Sequence, residues 1–180
     1  MKGTVFNHLQ EFVEQSHGYT VWDQAISTLD LPSKGIYVGT QSYDDTEITM
    51  LAVYLAEQLN APLPDLIRSF GYSLFSHLMP MAPEQAKQAK DLRTFLHMVE
   101  KIIHVEVLKL YQDVNLPKFD YIDEESKYMT MIYRSPRKLC FLSEGLILGA
   151  ADHFKEQVKI DQSKCMHKGD DCCHIEIEFL

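Results

Sequence analysis

The sequence predicts an α+β fold, with a helical N-terminal part and a C-terminal part that combines long helices with an antiparallel sheet. Three observations carry this. Apolar residues recur at helical spacing from Val5 to about Gln112. After Pro117 the pattern shortens to strand-like runs. Two turn-forming clusters, Asp123 to Ser126 and Lys168 to Asp171, each separate a pair of such runs. At 180 residues the chain makes a single domain. The expected internal division falls near Pro62, giving a helical subdomain over about 1–62 and an α/β subdomain over about 63–180.

Val5, Leu9, Phe12 and Val13 define the first helix, which His17-Gly18 ends. A second, short helix covers Val21 to Leu29. Pro32 and Gly35 mark a connection, and Ser42 to Thr46 reads as a loop leading into a helix cap. Ile48, Leu51, Ala52, Leu55 and Leu59 form the next apolar stripe. Pro62 and Pro64 punctuate the chain before a helix through Phe70 and Phe75. Gly71 lies inside that helix, where glycine costs about 1 kcal/mol against alanine, so close backbone packing or a bend is expected there. Pro80 and Pro83 precede the longest predicted helix, roughly Glu84 to Gln112. Phe119 to Ile122 and Lys127 to Tyr133 read as a strand pair, Leu139 to Phe154 as a helix, and Glu156 to Lys164 with Cys173 to Leu180 as a closing strand pair.

Composition limits the function classes. A 46% hydrophobic fraction is enough for a sizeable core. The net charge of -9 argues against a nucleic-acid partner, which calls for a basic stripe. No apolar run approaches the length of a membrane span, and no basic start is followed by an apolar signal segment. The expectation is a cytoplasmic protein with no membrane partner.

The residues with chemical potential fall in two groups. Tyr133, Ser135 and Arg137 stand at alternate positions, so in an extended segment their phenol, hydroxyl and guanidinium share one side. Such a set suits an anionic oxygen group. His104 stands on the long helix among Ile102, Ile103, Val105 and Val107, and a neutral imidazole there can ligate a metal. Helix and strand together could hold a metal macrocycle that carries carboxylates. His97 is a rival ligand by helical spacing. The second group is Cys140, Cys165, Cys172 and Cys173, all in the last quarter of the chain. Their clustering reads as a local metal or redox site rather than a disulfide framework.

The order and spacing of His104, then Leu116-Pro117, then Tyr133-x-Ser135-x-Arg137, resembles the H-NOX family of heme-based gas sensors, as does the start Met1 to Asn7. The resemblance covers essentially the whole chain. It implies heme b between the two subdomains, with His104 as iron ligand and Tyr133, Ser135 and Arg137 on the propionates. It places Pro117 against the macrocycle, which it would bend. Val5, Leu9, Phe75, Leu142 and Leu146 match distal positions, and none is polar. Oxygen-binding members of the family carry a tyrosine five positions beyond the propionate arginine, where this chain has Leu142. The implied ligand is therefore NO, with CO weaker, over oxygen. NO would weaken or break the bond from iron to His104, relax the heme, and signal to a separate protein. The family's partners imply a sensor histidine kinase or a cyclic-di-GMP enzyme.

The cysteines also resemble the zinc site of some bacterial H-NOX proteins, with Cys140, Cys165 and Cys173 as the matching ligands. Those proteins place a histidine where this chain has Gln162, which leaves the fourth ligand open among Cys172, His167 and His174. A redox-active disulfide and free thiols remain alternatives, so a cysteine- or zinc-based redox sensor is the competing function. A heme enzyme such as a peroxidase is disfavoured, because peroxide cleavage needs a polar acid–base group beside the iron.

Overall fold

The computed structural model describes residues 1–111, 114–123 and 125–180. It is an α+β fold with a four-stranded antiparallel sheet. Four helices come first: α1 (Gly3–His17), α2 (Tyr19–Thr28), α3 (Asp45–Gln58) and α4 (Leu63–Leu78). The expected cap before α3 is Asp44, whose carboxylate accepts the Thr46 N–H at 2.8 Å. Pro64 stands in the first turn of α4, where its missing N–H costs nothing.

The expected single helix from Glu84 to Gln112 is not continuous; its last residue lies outside the described ones. The chain instead forms α5 (Glu84–Lys87), α6 (Leu92–Met98), a π-helical turn (Val99–His104) and α7 (Val105–Leu110). The break before α6 has a local cause. Asp91 is extended, with φ -151° and ψ 164°, and its carboxylate accepts the Thr94 N–H at 2.7 Å. Glu156 accepts a second free N–H of that helix end, from Leu92, at 2.9 Å. A periodicity count sees neither event, because apolar spacing continues across both.

Strands β1 (Lys118–Ile122) and β2 (Tyr128–Arg134) follow, then α8 (Cys140–Phe154), β3 (Val158–Lys164) and β4 (Cys173–Phe179). Their order across the sheet is β1-β2-β4-β3. Tyr133 on β2 stands opposite Phe119 on β1 and Cys173 on β4. Buried Met129, Met131 and Tyr133 alternate along β2, as do Cys173, Ile175 and Ile177 along β4, so one sheet face is covered.

Buried side chains gather in two clusters. One joins Phe6, Leu9, Val13, Trp22, Leu51 and Leu55 with Leu66, Phe70 and Leu74 of α4. The other joins Phe75 of α4 to α6, α8 and the sheet. Helix α4 thus contributes to both. It packs closely on α8 because both present glycine at the crossing. A Cβ at Gly145 would overlap the Arg68 carbonyl oxygen, and one at Gly71 would overlap that of Leu142. Close packing is therefore the use of Gly71. Gly145→Ala is expected to destabilise the protein by about 1–3 kcal/mol through overpacking, read as a lower midpoint in denaturant at unchanged slope. An unchanged midpoint would show that the helices separate freely.

Candidate heme site

A cavity of about 220 Å³ lies where α1, α4, the π turn, the sheet and α8 converge. Val5, Leu74, Leu78, Leu142 and Leu146 line it, as do His104, Pro117, Tyr133 and Arg137. Leu9, Phe75 and Ser135 do not. Leu9 is buried within the helical cluster, and Phe75 packs edge-on against Phe95 with ring centroids 5.7 Å apart. Ser135 is buried behind the clamp, and its Oγ accepts the Arg137 N–H at 3.3 Å.

His104 ends the π-helical turn, a winding that recurs at functional sites in helices. Its Nδ1 lies 2.9 Å from Glu100 Oε2, one turn earlier. The Nδ1–H tautomer donates to that carboxylate and leaves Nε2 as the nitrogen to offer a metal. The ring stacks on Phe119 at 5.6 Å between centroids. Burial pushes the imidazole below its ordinary pKa, with Arg137 adding to the effect and Glu100 opposing it. A neutral ring is the form that ligates metal. Glu100 was not singled out from the sequence, although an acid four residues before a helical histidine is a readable signal. It also accepts the Phe119 N–H at 3.3 Å, which ties β1 to this helix. The Tyr121 hydroxyl adds a second tie, to the Leu96 carbonyl at 2.6 Å.

The rival His97 is held elsewhere. Its Nε2 is 2.7 Å from Asp123 Oδ2, beside the ion pair between Arg93 and Asp123. It does not line the cavity.

The clamp is not a continuous strand. β2 ends at Arg134, and residues 135–138 form a turn closed by the Lys138 N–H on the Ser135 carbonyl at 3.1 Å. Pro136 favours this turn, since its fixed φ suits the second position. Alternation therefore accounts for Tyr133 but not for Ser135 and Arg137. The Tyr133 oxygen accepts the Leu139 N–H at 2.8 Å, and burial raises the phenol's pKa. Arg137 donates Nη2 to the Asn115 carbonyl. Its Nε is buried with no hydrogen-bond partner among the described residues, and Asp45 Oδ2 stands 3.8 Å away. A buried guanidinium with an unspent donor, beside an apolar cavity with a neutral imidazole, fits a macrocycle carrying both metal and carboxylates.

The cysteines divide. Cys140, Cys165 and Cys173 bring their sulfurs within 4.8 Å of one another, with Cys140 and Cys165 at 3.9 Å. Cys172 lies outside this set, its thiol toward Asp171 Oδ1 at 3.4 Å. His167 Nε2 contacts the Lys138 carbonyl at 2.7 Å, and His174 follows Cys173 on β4, so it faces the other side. Burial raises the pKa of Cys140 and Cys173, which keeps both as thiols unless a metal draws off the proton. Gln162 donates to Glu144 Oε1, while its own Oε1 is buried without a partner among the described residues.

Comparison with known proteins identifies the family. The family model described as Haem-NO-binding matches residues 2–162. An H-NOX protein from S. oneidensis, solved in the Fe(II)NO ligation state, is 33% identical with a TM-score of 0.92, covering 100% of this chain and 99% of that one. The Fe(II) unliganded H-NOX protein from K. algicida is 28% identical with a TM-score of 0.92, covering 100% and 97%. An uncharacterised protein of Methanocaldococcus jannaschii is 30% identical over 111 residues, 61% of this chain. The match spans about half (54%) of that relative's length. H-NOX domains bind heme, and H-NOX proteins bind gaseous ligands such as NO and CO. The chain belongs to the H-NOX family, the heme-based gas sensors.

Proposed function

We propose that this chain is a sensor of NO, with CO as a weaker ligand, that signals to a separate protein. The observation that carries the reading is the apolar cavity wall of Val5, Leu74, Leu78, Leu142 and Leu146 facing a single neutral imidazole. Heme b, when bound, would supply a ferrous iron that binds NO at the expense of its bond to histidine. His104 would hold the iron through Nε2, with Glu100 fixing the ring. Release of His104 frees the π turn and α7, and the Glu100–Phe119 contact passes that movement to β1. The two moving units in this proposal are about 1–62 and 63–180, with α4 contributing side chains to both buried clusters. The partner would be a sensor histidine kinase or a cyclic-di-GMP enzyme in the cytoplasm. No described helix is long and apolar enough to cross a membrane. Absorption spectra of the ferrous protein, alone, with NO and in air, test the assignment.

Tyr133 and Arg137 would hold the propionates from the cavity lining, with Ser135 holding the turn that carries Arg137. Arg137→Ala is expected to speed heme loss more than Ser135→Ala. It removes a charge-assisted donor worth about 1.5–3 kcal/mol, against about 1 kcal/mol for a neutral bond. Heme transfer to excess apomyoglobin measures both rates, and rates equal to wild type would show that this turn does not grip the cofactor.

The three clustered sulfurs would hold a structural zinc that braces the start of α8 against β4. Cys172, His167 and His174 are each directed elsewhere, so a fourth ligand comes from Gln162 Oε1 or from water. Metal analysis of protein purified without chelator should find zinc at this site, lost in Cys165→Ala. Zinc-free protein with a disulfide formed in air would favour the redox sensor instead.

A further inference from the structure

A second group of ligating side chains lies outside the heme cavity, where α1 passes α4. His8 and Glu11 are three residues apart on α1 and share a face. His77 comes from the last turn of α4. His8 Nδ1 lies 3.1 Å from Glu11 Oε2, and His77 Nε2 lies 3.5 Å from the same oxygen. The two imidazole rings are 4.1 Å apart between centroids. All three ligand atoms fall within 4.8 Å of one another. We propose that His8, Glu11 and His77 form a binding site for a divalent transition ion of the zinc class, joining α1 to α4.

The donor set is suited to such an ion: two imidazoles and a carboxylate supply three ligands and leave a position for water. His77 is already oriented for the role. Its Nδ1 lies 3.3 Å from the Ser73 carbonyl oxygen, so the Nδ1–H tautomer donates to the backbone and turns the Nε2 lone pair toward Glu11 and His8. An ordinary ion pair with Glu11 needs one histidine. A second imidazole at this distance is more than such a pair uses, and it supplies a further nitrogen donor to a shared ion. The side chains of His8, Glu11 and His77 are 16%, 49% and 35% exposed. The ion would therefore exchange with solvent and would not be needed for folding. His8 precedes Leu9 and His77 precedes Leu78, and Val5 and Leu78 line the heme cavity. The ion would restrain α1 against α4 beside that cavity wall.

The test is equilibrium dialysis of the heme-loaded protein against micromolar zinc chloride, with bound zinc counted per chain. His8→Asn and His77→Asn are each expected to hold one zinc fewer than wild type, with heme absorption and thermal midpoint unchanged. Cys140→Ser should retain that equivalent, whatever the cysteine cluster binds. Equal zinc in His77→Asn and wild type would overturn the proposal, as would loss of the equivalent in Cys140→Ser alone. If a histidine variant fails to fold, Glu11→Gln decides, since Glu11 is the most exposed of the three. Its zinc dissociation constant should rise at least about tenfold, because a neutral amide replaces a charged ligand. An unchanged constant overturns the site.

Discussion

Purified His104→Gly should carry little or no heme, and should regain it when imidazole is supplied to fill the vacated position. The geometry explains both halves. His104 lines the cavity with a neutral ring, and its removal leaves an apolar gap large enough for a free imidazole. Glu100→Gln is the graded companion. It keeps a hydrogen-bond acceptor at Nδ1 but removes the charge, and loss of an outer partner of this kind typically costs about 10–100-fold in metal affinity. Heme content and the iron–histidine stretching frequency measure both variants. Normal heme and an intact stretch in His104→Gly would move the ligand to another residue. His97 would be a poor replacement, since Asp123 holds its Nε2.

Ferrous wild-type protein is expected to form a stable, largely five-coordinate NO complex, and to show no persistent oxygenated spectrum in air. Oxygen at ferrous iron needs a hydrogen-bond donor, whereas NO draws most of its stability from the metal. The leucines and valine of the cavity wall offer none. Of the polar groups nearby, the Ser143 hydroxyl faces the Leu139 carbonyl at 3.5 Å, and Tyr133 and Arg137 are assigned to the propionates. A hydrogen bond to a charged acceptor is worth about 1.5–3 kcal/mol, so its absence costs oxygen roughly 10–100-fold in affinity. Leu142→Tyr would add a phenol on α8, although correct placement depends on the surrounding packing. The decisive measurement is the wild type, and a persistent oxygen complex would overturn the NO assignment.

Much of this was legible before any coordinates. The fold class followed from a change of period near Pro117, and the family from the order of His104, Pro117, Tyr133, Ser135 and Arg137. Errors arose where local chemistry interrupts a period. The Asp91 cap breaks an apolar stripe without altering it, and the turn at Pro136 takes Arg137 out of the strand that carries Tyr133. Glu100 and Gly145 were readable in principle, the first from its spacing to His104 and the second from its position on a helix. Only their partners reveal their use.

The sequence by itself determined which faces are apolar, where helices yield to strands, and which side chains could do chemistry. These depend on neighbours within about one helical turn or one strand step, so they are written in local order. The tertiary structure decided which candidates meet. It gave His97 to Asp123 and left His104 to the cavity. It joined Cys140 to Cys165 and Cys173 but not Cys172, and brought His77 to His8 and Glu11 across the chain. Such choices rest on contacts between residues tens of positions apart, and these are set by how α4 packs on α1 and α8 rather than by any local pattern.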